Sequence, residues 1–482
     1  IITEKCAEWL KNKYQSQANL ESAWGIQAFE WGKEVRKENW NLDSMNIRPV
    51  CSHGIYDYEY QKYSDMDQPM PQFLLDNMRF LYEEQMKYYH KFEKAVRATG
   101  YKGALVASCW QAGSGPSHFY NLYTDAQIGI VDRHNYFGGG TGHRLVPGEF
   151  KNEAMVNNPG KGLLSTGAQQ VANRPFSLSE WLSLIPNEWV AEGAPVVAFY
   201  GLGLQGWDAS YSFAVDYHHF TETIHTPGVY NVTSPTQLTQ YPAITSALYD
   251  QDINEGKVVS KRNVHIPSLS QGKLGFKDQQ RQDWDQKSFG GVPMESFLAG
   301  KVVVDFTEQF QPTQNQDLKE YVSENAVTSS TGQIYWHKPD SLAYFTVNSE
   351  GLQAFTGFNQ SDSYDFKDLS LELENPFAVI MISSLQKGIP ISQASGLLVT
   401  AIARSRNTDM EYNTDTTAIL QTGAAPILLE PVNFTLNFKN RQPQSINVLD
   451  HVGRRTDNEI PVSESIFIDG GKHKSIYYEI VF

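Results

Sequence analysis

The run Pro175-Phe176-Ser177-Leu178-Ser179-Glu180 decides the fold, because an apolar stretch in it leads directly into a carboxylate. A short apolar run bounded by Gly or Pro and followed by polar residues is typical of a buried parallel strand. Three other runs share this character, at residues 103–110, 128–132 and 206–213. Helix-like segments follow the runs at 103–110 and 175–180, and a long Gly-rich loop follows the run at 128–132. This order of strands and helices predicts a parallel sheet with crossover helices.

Helical spacing of apolar side chains predicts the helices of this region. Two precede the first strand, at residues 3–24 and 73–99, and Gly100 stands where a glycine commonly ends a helix. Further helices are predicted at 117–127 and 189–205, between strands. A last one is predicted within 241–256.

The second half of the chain changes to an all-β pattern at about residue 300. Short apolar runs occur at 302–306, 342–347, 371–374, 377–382, 396–403, 427–429, 434–438 and 475–481. Closely spaced short strands predict an antiparallel β-sandwich, and the long apolar runs suggest burial on both faces. We therefore expect three parts: an α/β domain over 1–260, a polar linker over 261–300 and the sandwich over 301–482.

The amino-acid composition excludes or favours several classes of protein function. The 482 residues carry 39 basic and 54 acidic side chains, a net charge of −15, which disfavours nucleic-acid binding. No apolar run is long enough to span a membrane, so no membrane partner is expected. Aromatic residues make up 12%, and flat rings suit a sugar-binding cleft. Three cysteines exclude a disulfide framework.

Polar and aromatic residues gather where the four strands are predicted to end. In an α/β barrel that edge carries the active site, and a carboxylate on a buried strand is costly unless it is paired. Glu180 is therefore a candidate catalytic carboxylate, the alternative being a glutamate that caps the next helix. The whole set comprises Trp110, Asp132, His134, Tyr136, Glu180, Trp181, Trp207 and Asp208.

Here the sequence resembles the retaining glycoside hydrolases of clan A, which are (β/α)8 TIM barrels, and in particular their agarase- and β-galactosidase-like members. Residues 174–181 resemble the seventh barrel strand, so the resemblance implies that Glu180 is the nucleophile. Residues 131–137 resemble the sixth strand, which implies that His134 or Tyr136 orients the nucleophile. Residues 204–208 resemble the eighth strand, which implies that Trp207 forms the floor of the sugar subsite.

The resemblance also implies the remaining site residues and the substrate. Trp110, Asp132, Trp181, Trp207 and Asp208 would bind a β-linked, galactose-containing polysaccharide or oligosaccharide. Tyr136 would donate a hydrogen bond to Glu180, with Arg133 or His134 as second choices. The fold would be the C-terminal half of a (β/α)8 barrel, strands five to eight, followed by the sandwich. Such an enzyme is expected to be secreted or periplasmic.

The second carboxylate of a retaining mechanism is expected outside this chain. In the family it belongs to an Asn-Glu pair that ends the fourth strand, which should lie upstream of Ile1. The chain opens Ile1-Ile2, unlike a native translation start, so we expect a removed leader or a longer parent. Glu153, in a predicted loop, is a weaker candidate for the acid, and Glu188 and Glu255 are weaker still. The expected partner is thus a half-barrel segment or chain.

Several alternatives stay open. A degenerate barrel that binds glycans without cleaving them is the main rival. A metal-dependent hydrolase centred on Asp132 and His134 is a third hypothesis, in which His143, or His218 and His219 with His225, add ligands. The glycine-rich run 138–143 is interpreted as an active-site loop, because it lacks a phosphate-loop motif. No cofactor is expected beyond a possible structural Ca²⁺ in the acidic loop 361–368.

Overall fold

The computed structural model describes residues 1–49, 69–109, 115–140, 144–215, 222–224, 229–278, 280–283, 286–338 and 342–482. The described chain is a mixed α/β protein with a curled half-barrel sheet and several antiparallel sheets. Within the described helices, none combines the length and the apolar composition that a membrane crossing requires.

The described part of residues 1–98 contains the helices α1 (Ile2–Tyr14), α2 (Gln17–Trp24), α3 (Ile26–Arg36) and α4 (Gln72–Ala98). The single helix predicted over 3–24 is therefore two. The break lies at Gln15, whose φ of 66° is left-handed, and Ser16 caps α2 by accepting from the Asn19 N–H. Helix α4 confirms the prediction over 73–99. Gly100 ends it with a φ of 89°, a conformation that glycine adopts without a Cβ clash.

The half-barrel sheet contains the strands β1 (Val131–Gly140), β2 (Gly148–Lys151), β3 (Phe176–Leu184) and β4 (Ala209–Ser212). β1, β3 and β4 are parallel neighbours in that order, and Val106 forms a parallel bridge to Ile130 beside them. The predicted strand order is thus confirmed, although the described residues 103–109 contribute a bridge and not a full strand. In the described residues the sheet is a half-barrel, and no closed eight-stranded barrel is seen.

Helical segments connect these strands, as predicted. Helix α5 (Gly115–Ile128) precedes β1. A continuous helical stretch between β3 and β4 comprises a 3₁₀ turn (Val190–Glu192), α6 (Gly193–Pro195) and a π-helix (Val196–Leu204). Two further 3₁₀ segments, Met155–Asn157 and Gly162–Gln169, lie between β2 and β3. Helices α7 (Pro235–Leu238) and α8 (Tyr241–Tyr249) follow β4.

The predicted linker 261–300 is instead folded. It holds most of β5 (Val258–His265) and the elements α9 (Ile266–Leu269), β6 (Gln280–Asp283), β7 (Gln286–Phe289) and α10 (Ser296–Ala299). β5 pairs in parallel with β8 (Lys301–Thr307), and β9 (Gln314–Asn315) lies on its other side. The linker prediction failed because Arg262 and Asn263 are polar yet buried, each with hydrogen-bond partners.

Strand β8 was expected to belong to the sandwich, but it lies against the half-barrel. Val304 exchanges backbone hydrogen bonds with Gln170 and Ala172, directly before β3. The core that contains Val304 also includes Phe176, Leu178 and Trp207. The 3₁₀ turn Leu318–Glu320 then leads into the β-rich tail.

Most described strands of the tail belong to two antiparallel sheets. The larger contains β10 (Ala326–Thr328), β11 (Ile334–His337), β12 (Tyr344–Asn348), β13 (Leu352–Phe358), β16 (Phe377–Ser384), β17 (Gly396–Ile402), β24 (Tyr477–Val481), β21 (Ser445–Leu449) and β22 (Arg455–Ile460). The smaller contains β14 (Tyr364–Asp365), β15 (Leu369–Leu373), β20 (Asn433–Phe438) and β23 (Ile466–Asp469), after which comes α11 (Gly470–His473). An apolar core lies between the sheets, and every residue of β16 and β17 is buried, as the apolar runs suggested.

One hairpin of the tail reaches back to the half-barrel. It consists of β18 (Ser405–Tyr412) and β19 (Ala418–Leu429). Ala418 and Ile419 pair with β2, so the hairpin extends the half-barrel sheet beyond β1. Arg404 and Arg406 form ion pairs with the buried Glu188, in the segment that follows β3. The tail thus contacts the sheet that carries the candidate site.

Candidate active site

A β-bulge brings two functional side chains of β3 together. Arg133 pairs with Leu178 and His134 with Glu180, so Ser179 is an extra residue in β3. Bulges of this kind re-aim side chains and are common beside active sites. Both Ser179 and Glu180 contact His134 across the strand pair, and β1 and β3 continue beyond them to Gly140 and Leu184. The residues predicted at strand ends therefore lie within the strands.

Glu180 is the most accessible carboxylate of this cluster. Its side chain is 33% exposed, whereas that of His134 is 9% exposed. The Tyr136 hydroxyl donates to Glu180 Oε2 over 2.9 Å, and His134 Nδ1 lies 3.2 Å from the same oxygen. These contacts match the donors expected for Glu180, with Tyr136 first and His134 among the second choices.

A second set of hydrogen bonds continues from His134 to Asp132. His134 Nε2 lies 3.0 Å from Ser179 Oγ. The Ser179 hydroxyl donates to Asp132 Oδ2 over 2.6 Å, and the Ser179 N–H donates to Asp132 Oδ1 over 3.1 Å. Asp132 therefore contacts protein groups through both oxygens. The alternation Asp132-x-His134-x-Tyr136 placed these three on one face, but nothing in the sequence revealed the bulge that adds Ser179.

A buried lysine from the predicted linker also reaches the cluster. Lys287 is 3% exposed, and its ammonium donates to the His134 carbonyl over 3.2 Å. Its backbone exchanges hydrogen bonds with the Asn135 side chain, which fixes β7 beside β1. Burial lowers the pKa of His134; Glu180 and Asp132 oppose this effect, while Lys287 and Arg133 add to it. Lys287 was not among the predicted site residues because its segment was interpreted as a loop.

Two predicted site residues point to the other face of the sheet. The Arg133 guanidinium pairs with Asp125 at 2.9 Å and donates to Gln169 at 2.7 Å, and the residue is fully buried. It is therefore not a donor to Glu180. Trp181 is 2% exposed and belongs to the core behind the sheet. Its neighbour Glu180 faces the cluster, as the alternation of side chains along a strand requires.

Trp207 and Asp208 lie at the opposite end of the strands, which we call the lower end. β4 begins only at Ala209, so both residues precede the strand. The Trp207 ring is 3% exposed and stacks obliquely on Phe176 at 5.4 Å, at the start of β3. Asp208 Oδ2 accepts from the Phe176 N–H over 2.9 Å. Neither residue faces Glu180, so their expected role in sugar binding is not supported by their positions.

Other aromatic rings occupy the place expected for Trp207. Phe213, directly after β4, lies 6.5 Å from the Tyr136 ring, and Tyr230 lies 5.0 Å from it. Phe213 and Tyr230 also pack edge-to-face at 5.4 Å. Phe213 is 37% exposed. These two rings, which the sequence did not single out, form an accessible apolar wall beside the donor to Glu180.

Several predictions fall outside the described residues. Trp110 is one of them, as are His143, His218, His219 and His225. Of the glycine-rich run, Gly138–Gly140 belong to β1 and the remainder is not described.

Donor atoms for a metal ion also meet at this cluster. Atoms of Cys109, Asp132 and His134 lie within 4.8 Å of one another. Both nitrogens of His134 already have hydrogen-bond partners, so a cation would have to displace Ser179 or Glu180. In the acidic loop, Asp365 pairs with Lys439 at 2.7 Å and Asp368 accepts from Gln353 at 2.6 Å. These ligand sets remain hypotheses.

The other glutamates considered as the acid have different settings. Glu153 is exposed, Glu188 is held by the tail arginines, and Glu255 pairs with Lys301 at 2.7 Å. Glu192 shows what burial does to a carboxyl without a cation: it accepts from the Met155 and Val156 N–H groups, and burial raises its pKa to about 8. Glu180 differs from all four in its contacts with a phenol and an imidazole.

Comparison with protein-family models and with curated proteins gives no match for this chain.

Proposed function

We propose that the protein is a retaining glycoside hydrolase in which Glu180 is the nucleophile. The observation that carries this proposal is the setting of Glu180: a one-third exposed carboxylate on a parallel strand, with Tyr136 and His134 at Oε2. Nucleophilic attack requires the carboxylate form, and both neighbours can donate a hydrogen bond to it. Because both contacts reach Oε2, the proposal assigns the attack to Oε1.

The proposed reaction follows the two-step retaining scheme. Glu180 Oε1 attacks the anomeric carbon as the glycosidic bond breaks, and a second carboxyl protonates the leaving oxygen. That second group then takes a proton from water, which attacks the glycosyl-enzyme and releases Glu180. The two carboxyl groups of such enzymes lie about 5–5.5 Å apart. In this proposal the second carboxyl is supplied by a further strand of the barrel, on this protein or a partner chain.

The substrate proposal is a β-linked, galactose-containing polysaccharide or oligosaccharide. Phe213 and Tyr230 support a sugar ligand, because exposed rings can cover the apolar C–H face of a pyranose. The net charge of −15 is compatible with a neutral glycan. The sugar class itself rests on the resemblance of residues 131–137 and 174–181 described above.

The test is Glu180→Gln in the full-length protein. The change keeps size and one acceptor but removes the nucleophile, so we expect turnover of the glycan to fall by about 10³-fold or more. Glu255→Gln, at a surface ion pair, is the matched control and should retain turnover. Azide should restore cleavage by Glu180→Ala and give a glycosyl azide of inverted configuration. Near-normal turnover by Glu180→Gln contradicts the assignment.

A second candidate is a glycan-binding protein without cleavage. It is favoured by the settings of the glutamates considered as the acid, since Glu188 and Glu255 are held in ion pairs and Glu153 lies in an exposed segment. In that case the unmodified full-length protein binds the glycan but does not cleave it, and Glu180→Gln changes affinity alone.

A further inference from the structure

The hydrogen bonds at Ser179 have a direction, and the distances reveal it. Asp132 Oδ1 accepts the Ser179 N–H, which anchors the carboxylate, and Oδ2 lies 2.6 Å from the hydroxyl. The hydroxyl contact to His134 Nε2 is longer, at 3.0 Å. Hydrogen bonds to a charged acceptor are shorter and stronger than neutral ones. The single hydroxyl proton therefore lies toward Asp132.

This direction determines the protonation of the imidazole. A hydroxyl has one proton to donate and lone pairs to accept with. Since Ser179 donates to Asp132, it accepts from His134, and Nε2 must carry a proton. Nδ1 then faces Glu180 Oε2 at 3.2 Å, within reach of a second proton shared by the two atoms.

We propose that Asp132 and Ser179 are positioning residues that keep a permanent proton on His134 Nε2, so that Nδ1 shares an exchangeable proton with Glu180. With that proton on Nδ1, Glu180 is a carboxylate that accepts from both Tyr136 and His134. The consequence for catalysis rests on the proposed function, whereas the protonation pattern does not.

Charged groups of both signs act on the His134 imidazole. Burial lowers its pKa and Lys287 and Arg133 add to this effect, while Glu180 and Asp132 oppose it. Cys109 also lies close, with a thiol whose pKa is raised by burial.

The side chains of Ser179, His134 and Glu180 also allow a different arrangement of protons. Ser179 Oγ, His134 and Glu180 have the contacts of a serine–histidine–carboxylate triad, in which the hydroxyl donates to the imidazole. That arrangement requires the permanent proton on Nδ1, opposite to our proposal. The two alternatives are therefore distinguished by one measurement on His134.

The measurement is ¹⁵N NMR of the ring nitrogens in the full protein, with His134→Gln identifying the signal among 12 histidines. Across a pH titration we expect Nε2 to stay protonated and Nδ1 to gain and lose the proton. In Ser179→Ala the two nitrogens should exchange these roles: Nδ1 should stay protonated and Nε2 should gain and lose the proton. The reason is that a neutral imidazole can then donate to Glu180 through Nδ1. Asp132→Asn should also move the permanent proton from Nε2 to Nδ1. The Ser179 N–H would bind the oxygen of the new amide, so the amide NH₂ would face Ser179 Oγ and donate to it. The Ser179 hydroxyl would then donate its own proton to His134.

Ser183→Ala is the control, since Ser183 is buried in the same strand and its hydroxyl has no hydrogen-bond partner among the described residues. It should leave the ring signals unchanged. In Ser179→Ala we also expect kcat to fall about 10- to 100-fold, the usual range for groups that orient a functional histidine. Permanent protonation of Nδ1 in the unmodified protein, or labelling of Ser179 by a fluorophosphonate, overturns the proposal. Because the NMR readout needs no turnover, normal activity of Glu180→Gln would overturn the proposed function alone.

Discussion

The two ends of the parallel strands carry the same residue types in opposite settings. At the level of the carboxyl end of β4, Glu180 is followed by Trp181; at the lower end, Trp207 is followed by Asp208. Glu180 contacts a phenol and an imidazole and is partly exposed, whereas Asp208 caps the backbone of Phe176. A carboxylate next to a tryptophan in the sequence therefore predicts a functional site only when its position along the strand is known.

The largest effect is expected for Trp207→Ala at the lower end. The ring fills the space between Phe176 and Gly201, where an added Cβ would lie 2.6 Å from a ring carbon. Removing a buried ring costs the transfer free energy and leaves a cavity, so the free energy of unfolding should fall by about 3–5 kcal/mol. Urea unfolding measures this change, and Trp207→Phe should lose less.

Trp207→Ala also tests whether the two ends of the strands differ in function. If Trp207 were a sugar platform, its loss would weaken glycan affinity and leave stability nearly unchanged. We expect the reverse: at a temperature where Trp207→Ala is still folded, calorimetric titration should give the affinity of the unmodified protein.

A smaller effect is expected for Phe213→Ala near Glu180. The exposed ring packs on Tyr136 and Tyr230, and a ligand above Glu180 would contact it. Loss of a large aromatic contact should weaken glycan binding by about 1–3 kcal/mol, measured by titration on the Glu180→Gln background to prevent cleavage. Phe467→Ala is the control, because Phe467 is similarly exposed, at 46%, but lies on β23 of the tail. Unchanged affinity in Phe213→Ala would remove this ring from the site.

Many strands of the fold could be predicted from the sequence because runs of apolar residues indicate buried strands. In the sandwich, β16 and β17 are buried along their whole length, and their boundaries match the predicted runs closely. The failures occur where polar groups are buried with partners. Arg262 and Asn263 made β5 look like a loop, and Lys287 was overlooked in the same segment. Local hydrophobicity carries no information about a hydrogen bond that a distant segment supplies.

The candidate site could be predicted only in part, because the sequence shows which residues share a strand but not how neighbouring strands are aligned. The sequence grouped Asp132, His134 and Tyr136 at the end of one predicted strand, and the structure has all three on one face of β1. Ser179 joins them through a one-residue bulge, which shifts the register without leaving a composition signal. The position of Trp207 was misjudged because the resemblance of 204–208 to the eighth barrel strand placed this residue at a strand end, whereas β4 begins only afterwards, at Ala209. The error thus moved a core residue into the predicted cleft.

The smallest effect is expected for Asp208→Ala, the lower-end counterpart of Asp132. Asp208 accepts the Phe176 N–H over 2.9 Å and is exposed, so water can replace part of this bond. The free energy of unfolding should fall by about 1 kcal/mol, and Asp208→Asn, which keeps an acceptor, should lose less. The kcat/KM for glycan cleavage should not change, whereas Asp132→Asn should lower it through His134. A matched pair of aspartate variants, each assayed for stability and for turnover, therefore separates the two ends of the sheet. Equal losses of turnover in both variants would mean that Asp208 also acts on the site, and that the two ends are coupled through β3.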